Sequence, residues 1–256
     1  MVSGDYSGSE FRWTQQKTEL THGGIIDLFY AGIKWVVLQA EGIVSRIEQV
    51  VKAEFAKRTQ PIATLPLILR NKYDPSGYPW FEKIIENKLT LGAIPLKNFG
   101  HLDDLCNRGI TAVVSVIKDY EFSDGVYSVP VKPEDLEAKN IAHLVLRTVD
   151  GMPLSIEDMI AGVEFINEII EKGGHVLVHC KADVARSASL VTAYLLACGK
   201  KHGLYFDSVD GAIKHVTSKR NAVAIGGVQK EAIKLYWDVF KRARSALDAL
   251  YRTFRE

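Results

Sequence analysis

Residues 175–194 read HVLVHCKADVARSASLVTAY, and this stretch decides the fold. Its first part, residues 175–179, is a short run rich in valine and leucine, which is typical of a buried strand. The apolar residues that follow the next loop predict a helix over residues 187–200. A loop that begins at Cys180 and ends at Arg186 therefore joins a strand to a helix.

Three further runs rich in valine, leucine and isoleucine predict buried strands, at residues 88–93, 111–116 and 142–146. A helix is indicated between the strands at 142–146 and 175–179, because Ser155 is a good N-cap, Asp158 follows three residues later and Gly173 lies just past the apolar face. Strands that alternate with helices imply an α/β fold, with a central, mostly parallel sheet of four to five strands flanked by helices. The end of the chain is predicted to be almost entirely helical, at residues 187–200, 208–219 and 228–253.

The loop after the fourth predicted strand carries the candidate chemistry. Cys180 stands directly before a helix N-terminus, where unpaired N–H groups and the helix dipole stabilise an anion such as a thiolate. The backbone N–H groups of residues 181–185 can form a nest for a phosphate dianion, and Arg186 can clamp two of its oxygens with its planar guanidinium. A thiolate, a nest and a guanidinium together suit nucleophilic attack on a phosphomonoester.

The Cys-to-Arg spacing alone is a weak motif, because a cysteine and an arginine six residues apart often occur by chance. Its alternative interpretation is a buried core thiol at Cys180 and a surface charge at Arg186. The context favours the functional interpretation, since His179 precedes the cysteine, Ser187 follows the arginine, and a strand and a helix flank the loop.

With this context, H-C-x-x-x-x-x-R-S resembles the signature of the cysteine-dependent protein tyrosine and dual-specificity phosphatase superfamily. Within the superfamily the chain is most similar to the mitochondrial protein tyrosine phosphatase or phosphatidylglycerophosphatase subfamily. The segments that carry this likeness are YPWFEKI at 78–84, LTLGAIPL at 89–96, IKDYE at 117–121 and VDGMP at 149–153. The resemblance implies a dual-specificity phosphatase fold over about residues 61–240 and does not extend to the first 60 residues.

The resemblance also implies roles for individual residues. Cys180 would be the nucleophile, residues Lys181, Ala182, Asp183, Val184, Ala185 and Arg186 the phosphate-binding loop, and His179 the residue that orients this loop. Ser187 would hydrogen-bond the thiolate, and the substrate loop would comprise Asp119, Tyr120, Glu121 and Gln229. The implied substrate is a phosphomonoester, either a phospholipid similar to phosphatidylglycerophosphate or a phosphoprotein. The implied compartment is the mitochondrion, with the cytoplasm as the alternative.

By the same resemblance, Asp150 would be the general acid. Asp150 follows the predicted strand 142–146 and precedes Gly151 and Pro153, which places it on a loop at the same sheet edge as Cys180. A carboxylic acid there can protonate the leaving oxygen and afterwards activate water. The alternative is an ordinary turn aspartate, because aspartate is common in turns.

Three positions depart from the pattern of the subfamily. Asp183 stands where relatives have glycine and adds a negative charge beside the expected phosphate. Val184 replaces a basic residue, and Gly226 stands where a family I-R-P-G-Q pattern has arginine, although Gln229 is kept. These departures leave a second hypothesis open, a degenerate pseudophosphatase that binds phosphate or a protein partner with little turnover.

Composition divides the chain into four parts. Residues 1–24 are predicted to be a disordered N-terminus, residues 25–60 a helical extension, residues 61–78 a linker and residues 79–256 the catalytic domain. The apolar stretch 25–40 is too short and too charged to cross a bilayer, so it is predicted either to lie in a membrane interface or to pack on the domain.

Charge and cysteine content exclude several classes of protein. The chain has 32 basic and 31 acidic residues, a net charge of +1, which provides no overall field for binding nucleic acid. Its 3 cysteines are too few for a disulfide framework and lack zinc-site spacing, which indicates reduced thiols and no metal. No cofactor is expected, because the chain itself supplies the nucleophile and the phosphate loop.

Overall fold

The structure, a computed structural model, describes Glu54, residues 64–182 and residues 184–253. The chain divides into two compact units, Met1–Glu48 and Gln49–Glu256, and all the described residues belong to the second. The predicted disordered N-terminus, all but one residue of the helical extension 25–60, and Asp183 in the phosphate loop lie outside the described residues. None of the described helices is both long enough and apolar enough to cross a membrane.

The core of the fold is a five-stranded sheet with the strand order β1-β2-β5-β3-β4. The strands are β1 Phe81–Ile85, β2 Leu89–Ala93, β3 Ala112–Ser115, β4 Ala142–Val145 and β5 Val176–Cys180. All neighbouring strands are parallel except β1 and β2, which form an antiparallel pair. The predicted mostly parallel α/β sheet is thus confirmed, and its fifth strand is the antiparallel edge strand β1.

Helices pack on the sheet and make up most of the C-terminal part of the domain. They are α1 Leu65–Tyr73, α2 His101–Asn107, α3 Pro133–Glu137, α4 Ile156–Glu171, α5 Arg186–Cys198, α6 Val209–Lys219 and α7 Gly227–Thr253. Ser155 caps α4 as predicted, since its hydroxyl accepts a hydrogen bond of 3.0 Å from the Asp158 N–H. Gly173 ends this region with a φ of 81°, a left-handed conformation that glycine adopts without strain.

The segment 61–78, predicted to be a linker, is helical over much of its length. Within this segment, α1 has a proline in its first turn, where proline is compatible with a helix because its missing N–H is not needed. Leu67 and Ile68 of α1 are buried in the hydrophobic core. The compact domain therefore begins no later than residue 64, before the predicted boundary at residue 79.

The central strand β5 positions the functional loop. It lies between β2 and β3, and all five of its residues are buried. Ala93 of β2 pairs with Cys180, and Ser115 of β3 pairs with His179, so the carboxyl ends of the three strands meet at one edge of the sheet. The loops that follow these strands gather at this edge, as they do at ligand sites of other α/β sheets.

Candidate active site

Cys180 is the last residue of β5, and its side chain is buried. The hydroxyl of Ser187 donates a hydrogen bond of 3.2 Å to the Cys180 Sγ. Because Ser187 belongs to the first turn of α5, the sulfur lies at the N-terminal end of that helix. The sulfur therefore lies beside the positive end of the helix dipole and beside a hydroxyl donor.

Arg186 forms the electrostatic centre of the site, and its side chain is only 1% exposed. Its two Nη atoms donate to the two carboxylate oxygens of Glu121 at 2.7 and 3.0 Å, and Nη1 also donates to the Thr148 carbonyl at 2.9 Å. Burial opposes the charged form, but the hydrogen bonds that Arg186 donates to Glu121 and the nearby negative charges outweigh this effect and raise the pKa of Arg186. The guanidinium is thus a fixed cation.

One donor of Arg186 is left for a ligand. Its Nε N–H is buried and has no hydrogen-bond acceptor among the described residues. Buried donors in folded proteins nearly always have a partner, and those that lack one are commonly found where a ligand or ion binds. The arrangement holds the guanidinium by its Nη atoms and leaves its Nε edge available to an anion.

Asp150 reaches the same place from the loop after β4. Its carboxylate lies 3.1 Å from Nη2 of Arg186, although its side chain is 61% exposed. The following residue, Gly151, has a φ of 77° and donates its N–H to the Asp150 carboxylate at 3.1 Å. Gln229, in the first turn of α7, donates to the Gly151 carbonyl at 3.1 Å. Gln229 therefore contacts the loop that carries Asp150.

The loop after β3 contains Asp119, Tyr120 and Glu121, which differ in burial and in their hydrogen-bond partners. Glu121 is buried and also accepts a hydrogen bond of 2.9 Å from the Lys118 N–H, so it positions Arg186. The hydroxyl of Tyr120 is buried without a partner among the described residues. Asp119 instead pairs with Arg147 at 3.0 Å on the exposed surface. Of the predicted substrate loop, the structure brings Glu121 to the guanidinium and leaves Asp119 at the surface.

The loop between Cys180 and Arg186 is anchored from both sides. The Lys181 carbonyl accepts a hydrogen bond of 3.3 Å from the Ile94 N–H, and the Val184 carbonyl accepts one of 2.8 Å from the Ala224 N–H. Lys181 is buried, and this burial lowers the pKa of its ammonium to about 8, although Glu121 and Asp150 act in the opposite direction.

His179 belongs to a network of hydrogen-bonded polar side chains, formed by His179, Ser115 and His143 and called here the histidine network. Its Nδ1 lies 3.1 Å from the Cys180 carbonyl, and its Nε2 lies 2.7 Å from the Ser115 hydroxyl. A carbonyl only accepts, so Nδ1 carries the proton and Nε2 accepts from Ser115. The Nε2 of His143 lies 2.8 Å from the same hydroxyl and donates to it, because the single hydroxyl proton already goes to His179.

Only one member of the histidine network, His179, could be assigned a role from the sequence. His179 was expected to orient the loop, whereas Ser115 and His143 had no assigned role. The signal for Ser115 was a hydroxyl residue at the end of the otherwise apolar strand AVVS, where a buried polar group needs a partner. The signal that joins it to His143 is the register of β3 and β4, which becomes visible only in the folded sheet.

The site and its fold match a known family. The family model of the dual specificity phosphatase catalytic domain matches residues 99–235, more than half of the chain. The chain belongs to the dual specificity phosphatase family. The resemblance seen in the Cys180 loop is thus confirmed, and the chain carries a cysteine-based phosphatase domain that extends from the loop after β2 into α7.

Curated relatives of this dual specificity phosphatase include lipid and protein phosphatases. Phosphatidylglycerophosphatase and protein-tyrosine phosphatase 1 of Mus musculus is 28% identical over 162 residues, which cover 62% of this chain and 77% of the mouse protein. Dual specificity protein phosphatase 1 of Arabidopsis thaliana is 32% identical over 138 residues, 54% of this chain and 59% of that protein. Phosphatidylglycerophosphate phosphatase PTPMT1 of Arabidopsis thaliana is 29% identical over 174 residues, 67% of this chain but only 46% of that protein.

Solved structures agree with the fold. The crystal structure of PTPMT1 in complex with PI(5)P has 26% identity and a TM-score of 0.56, and the match covers 65% of this chain and 99% of that one. The active form of Tk-PTP, at 24% identity and a TM-score of 0.52 over 63% of this chain and 98% of that one, shares the fold. The predicted dual-specificity phosphatase fold is therefore confirmed.

The histidine network makes the stability of this phosphatase domain depend on pH. Burial lowers the pKa of His179 to about 3, whereas an unfolded histidine has a pKa near 6.5. Between these values the unfolded chain binds a proton that the folded one excludes, so acidification favours unfolding. We expect His179 alone to lower the free energy of unfolding by about 2 kcal/mol between pH 7 and pH 5.

Urea unfolding at pH 7, 6 and 5 measures this effect. In the His179→Gln variant, where an amide replaces the titrating ring, we expect a smaller loss of stability over the same pH range. His143, whose pKa is lowered to about 4 by burial, still titrates in that variant and accounts for part of the remaining slope. Equal pH slopes for the wild type and the variant would contradict the prediction.

Proposed function

We propose that the domain hydrolyses phosphomonoesters through a cysteinyl-phosphate intermediate. The supporting observation is the convergence of three groups, the Cys180 sulfur at a helix N-terminus, the buried Arg186 guanidinium with its available Nε, and the Asp150 carboxylate beside that guanidinium. Together they supply a nucleophile, an anion clamp and a proton donor.

The reaction would take place in two steps. In the first, the Cys180 thiolate attacks phosphorus, the bond to the alcohol oxygen breaks, and protonated Asp150 gives its proton to that oxygen. In the second, the Asp150 carboxylate takes a proton from water, whose oxygen attacks the cysteinyl-phosphate and releases inorganic phosphate and the thiolate. The Ser187 hydroxyl, already hydrogen-bonded to the sulfur, would stabilise the departing thiolate.

Arg186 and the backbone N–H groups of residues 181–185 would bind the phosphoryl oxygens. Glu121 and Thr148 fix the guanidinium before substrate arrives, so binding costs little side-chain entropy. The Asp150 carboxylate is exposed and linked to Arg186 by only one ion pair, which a phosphate could replace without moving the buried Glu121 pair. The acid would then be free to face the leaving group.

As substrate we propose a phospholipid similar to phosphatidylglycerophosphate, with a phosphoprotein as the other class. Supporting the lipid are the names of several relatives, together with the phosphoinositide bound to the similar PTPMT1 structure. We propose peripheral membrane contact through residues 25–60 because the stretch 25–40 is apolar and rich in aromatic residues. A mitochondrial location is proposed on the sequence resemblance.

A panel of phosphate-release assays tests this function. Purified full-length protein is assayed with phosphatidylglycerophosphate vesicles, phosphoinositide vesicles and phosphotyrosyl and phosphothreonyl peptides, with Cys180→Ser as the background. We expect release from at least one lipid substrate well above the background and above the peptides. Release from no substrate above the background would contradict hydrolysis, and release from peptides alone would move the assignment to a protein phosphatase.

The second candidate function is phosphate binding without efficient turnover. The specific observation that favours it is the sequence of the predicted phosphate-binding loop, which contains Asp183 and has Val184 in place of a basic residue. A like charge near a phosphate dianion weakens binding. Orthovanadate that binds the protein in the absence of phosphate release would support this candidate.

Replacing Asp183 separates the two candidates. We expect Asp183→Gly to raise the rate on a generic aryl phosphate at least several-fold at neutral pH, because the repulsion is removed and the loop gains backbone freedom. Asp183→Asn is the matched variant, since it removes the charge and keeps the side-chain volume. A rise in both variants assigns the effect to charge, and a rise in glycine alone assigns it to the backbone. Unchanged or lower rates in both folded variants would show that the loop accommodates Asp183.

A further inference from the structure

A second cavity lies far from the Cys180 loop. It has a volume of about 440 Å³ and lies between the last turns of α5, the segment that follows it and the middle of α7. This volume is within the range of small-molecule sites in proteins, about 300–1,000 Å³. The cavity shares none of its described lining residues with the site around Arg186.

The position of the cavity follows from the direction of α5. This helix begins at Arg186 and ends at Cys198, so its two ends are roughly 18 Å apart at 1.5 Å per residue. Beyond its end, His202 lies 3.4 Å from the Lys88 ammonium, and Lys88 directly precedes β2. Because β2 is parallel to β5, this is the edge of the sheet opposite to Cys180.

The floor of the cavity is aromatic and apolar. Trp237 and Phe240 of α7 stack with ring centroids 5.5 Å apart and planes inclined by 15°. Phe206 and leucine side chains from α5 and the segment after it complete this surface. Trp237 and Phe240 are only partly buried, so an apolar ligand would remove more of their surface from water.

The rim of the cavity is positively charged. Lys200, Lys241 and Arg244 line it, and none of the described lining residues is acidic. Lys241 lies 5.7 Å above the Trp237 ring and forms an ion pair of 2.9 Å with Asp238, outside the lining. Lys200 and Arg244 are exposed at the rim.

We propose that this cavity binds a single-chain anionic amphiphile, of which a long-chain carboxylate is the simplest example. The apolar floor would cover the first part of the alkyl chain, while the rim cations would bind the head group. A small anion would bind more weakly because it makes no apolar contact with the floor. An uncharged amphiphile would bind more weakly because it makes no ion pair with the rim cations. The inference is independent of the proposed phosphatase reaction, because a carboxylate is not a phosphomonoester and the cavity lies at the opposite sheet edge.

Calorimetric titration of the full-length protein with laurate, below the concentration at which laurate forms micelles, tests the proposal. Saturating inorganic phosphate is included, so that the anion site at Arg186 is occupied. We expect saturable binding of laurate, and much weaker binding of acetate and of the uncharged detergent dodecyl maltoside. Equal affinity for the uncharged detergent would overturn the charge requirement, and the absence of laurate binding would overturn the proposal.

Two variants locate the binding. Arg244→Glu reverses an exposed rim charge, and we expect it to weaken laurate binding about fivefold, the scale of a surface charge contact. Lys72→Glu is the matched control, because it makes the same charge change at an exposed residue of α1 and should leave binding unchanged. Trp237→Ala removes one of the aromatic rings that form the floor, with an expected loss of affinity of roughly tenfold or more. Laurate binding that is unchanged in both Arg244→Glu and Trp237→Ala would place it elsewhere and overturn the proposal.

Discussion

Cys180→Ser is expected to lower phosphate release by at least about 10⁴-fold, because removal of a covalent nucleophile leaves only the binding and electrostatic contributions to the rate. A serine hydroxyl at this position is not ionised at neutral pH, so the helix N-terminus and the Ser187 hydroxyl have no anion to stabilise. The substitution replaces one buried atom by a slightly smaller one, and the Arg186 pair with Glu121 does not depend on it. Phosphate affinity should therefore persist while turnover is lost.

Cys106→Ser is the matched control. Cys106 is exposed on α2, and its thiol takes no part in the site, so the same chemical change there should leave the rate within about twofold of the wild type. Inactivation by iodoacetamide gives a second readout: it should be slowed by orthovanadate in the wild type and in Cys106→Ser. A folded Cys180→Ser protein that kept more than a few per cent of the wild-type rate would require a different nucleophile.

Two parts of this site could be placed from the sequence, the loop that begins at Cys180 and the loop that carries Asp150. The loop from Cys180 to Arg186 is local, and its chemistry follows from a strand that ends where a helix begins. Asp150 could be placed at the same edge because the carboxyl ends of parallel strands meet there. Each of these inferences required only the period of the apolar residues and the geometry of a parallel sheet.

Contacts between residues that are distant in sequence could not be predicted from the sequence alone. The resemblance pointed to Glu121, yet the residues alone did not indicate that it binds Arg186 with both carboxylate oxygens, because the two lie 65 residues apart and meet only in the folded chain. The hydrogen bond from Ser115 to His179 likewise depends on the pairing of β3 with β5. Sequence periodicity predicts which residues are buried, and it does not predict which buried polar groups satisfy one another.

Two local structures were missed for other reasons. The edge strand β1 has the sequence FEKII, in which charged residues follow a phenylalanine and the apolar residues do not alternate, so its period was not that of a half-buried strand. The helix α1 follows Pro61 and contains Pro66, and prolines at this spacing favour a linker between the N-terminal extension and the catalytic domain. A proline in the first turn is compatible with a helix, and burial of Leu67 and Ile68 stabilises it.

Asp150→Asn is expected to lower turnover of an alkyl phosphate by about 10²- to 10⁴-fold, the usual contribution of a positioned general acid. The asparagine amide cannot give a proton to the leaving oxygen, and it cannot take one from water in the second step. Its carbonyl oxygen can still accept a hydrogen bond from the Arg186 Nη2, which now lies 3.1 Å from the carboxylate. Because Glu121 holds the guanidinium independently, phosphate affinity should change little.

The leaving group distinguishes acid catalysis from a general loss of structure. An aryl phosphate whose alcohol leaves readily as an anion needs little protonation, so Asp150→Asn should slow its first step much less than that of an alkyl phosphate. Asp119→Asn is the matched control, because it makes the same change on the exposed carboxylate that pairs with Arg147. A uniform loss on both substrates would indicate a structural effect of the Asp150 substitution.

If both variants instead kept the wild-type rate on the alkyl phosphate, a residue other than Asp150 and Asp119 would have to be the acid. Glu121 would be a poor replacement, because its two carboxylate oxygens hold Arg186 and protonating it would remove the buried partner of that cation.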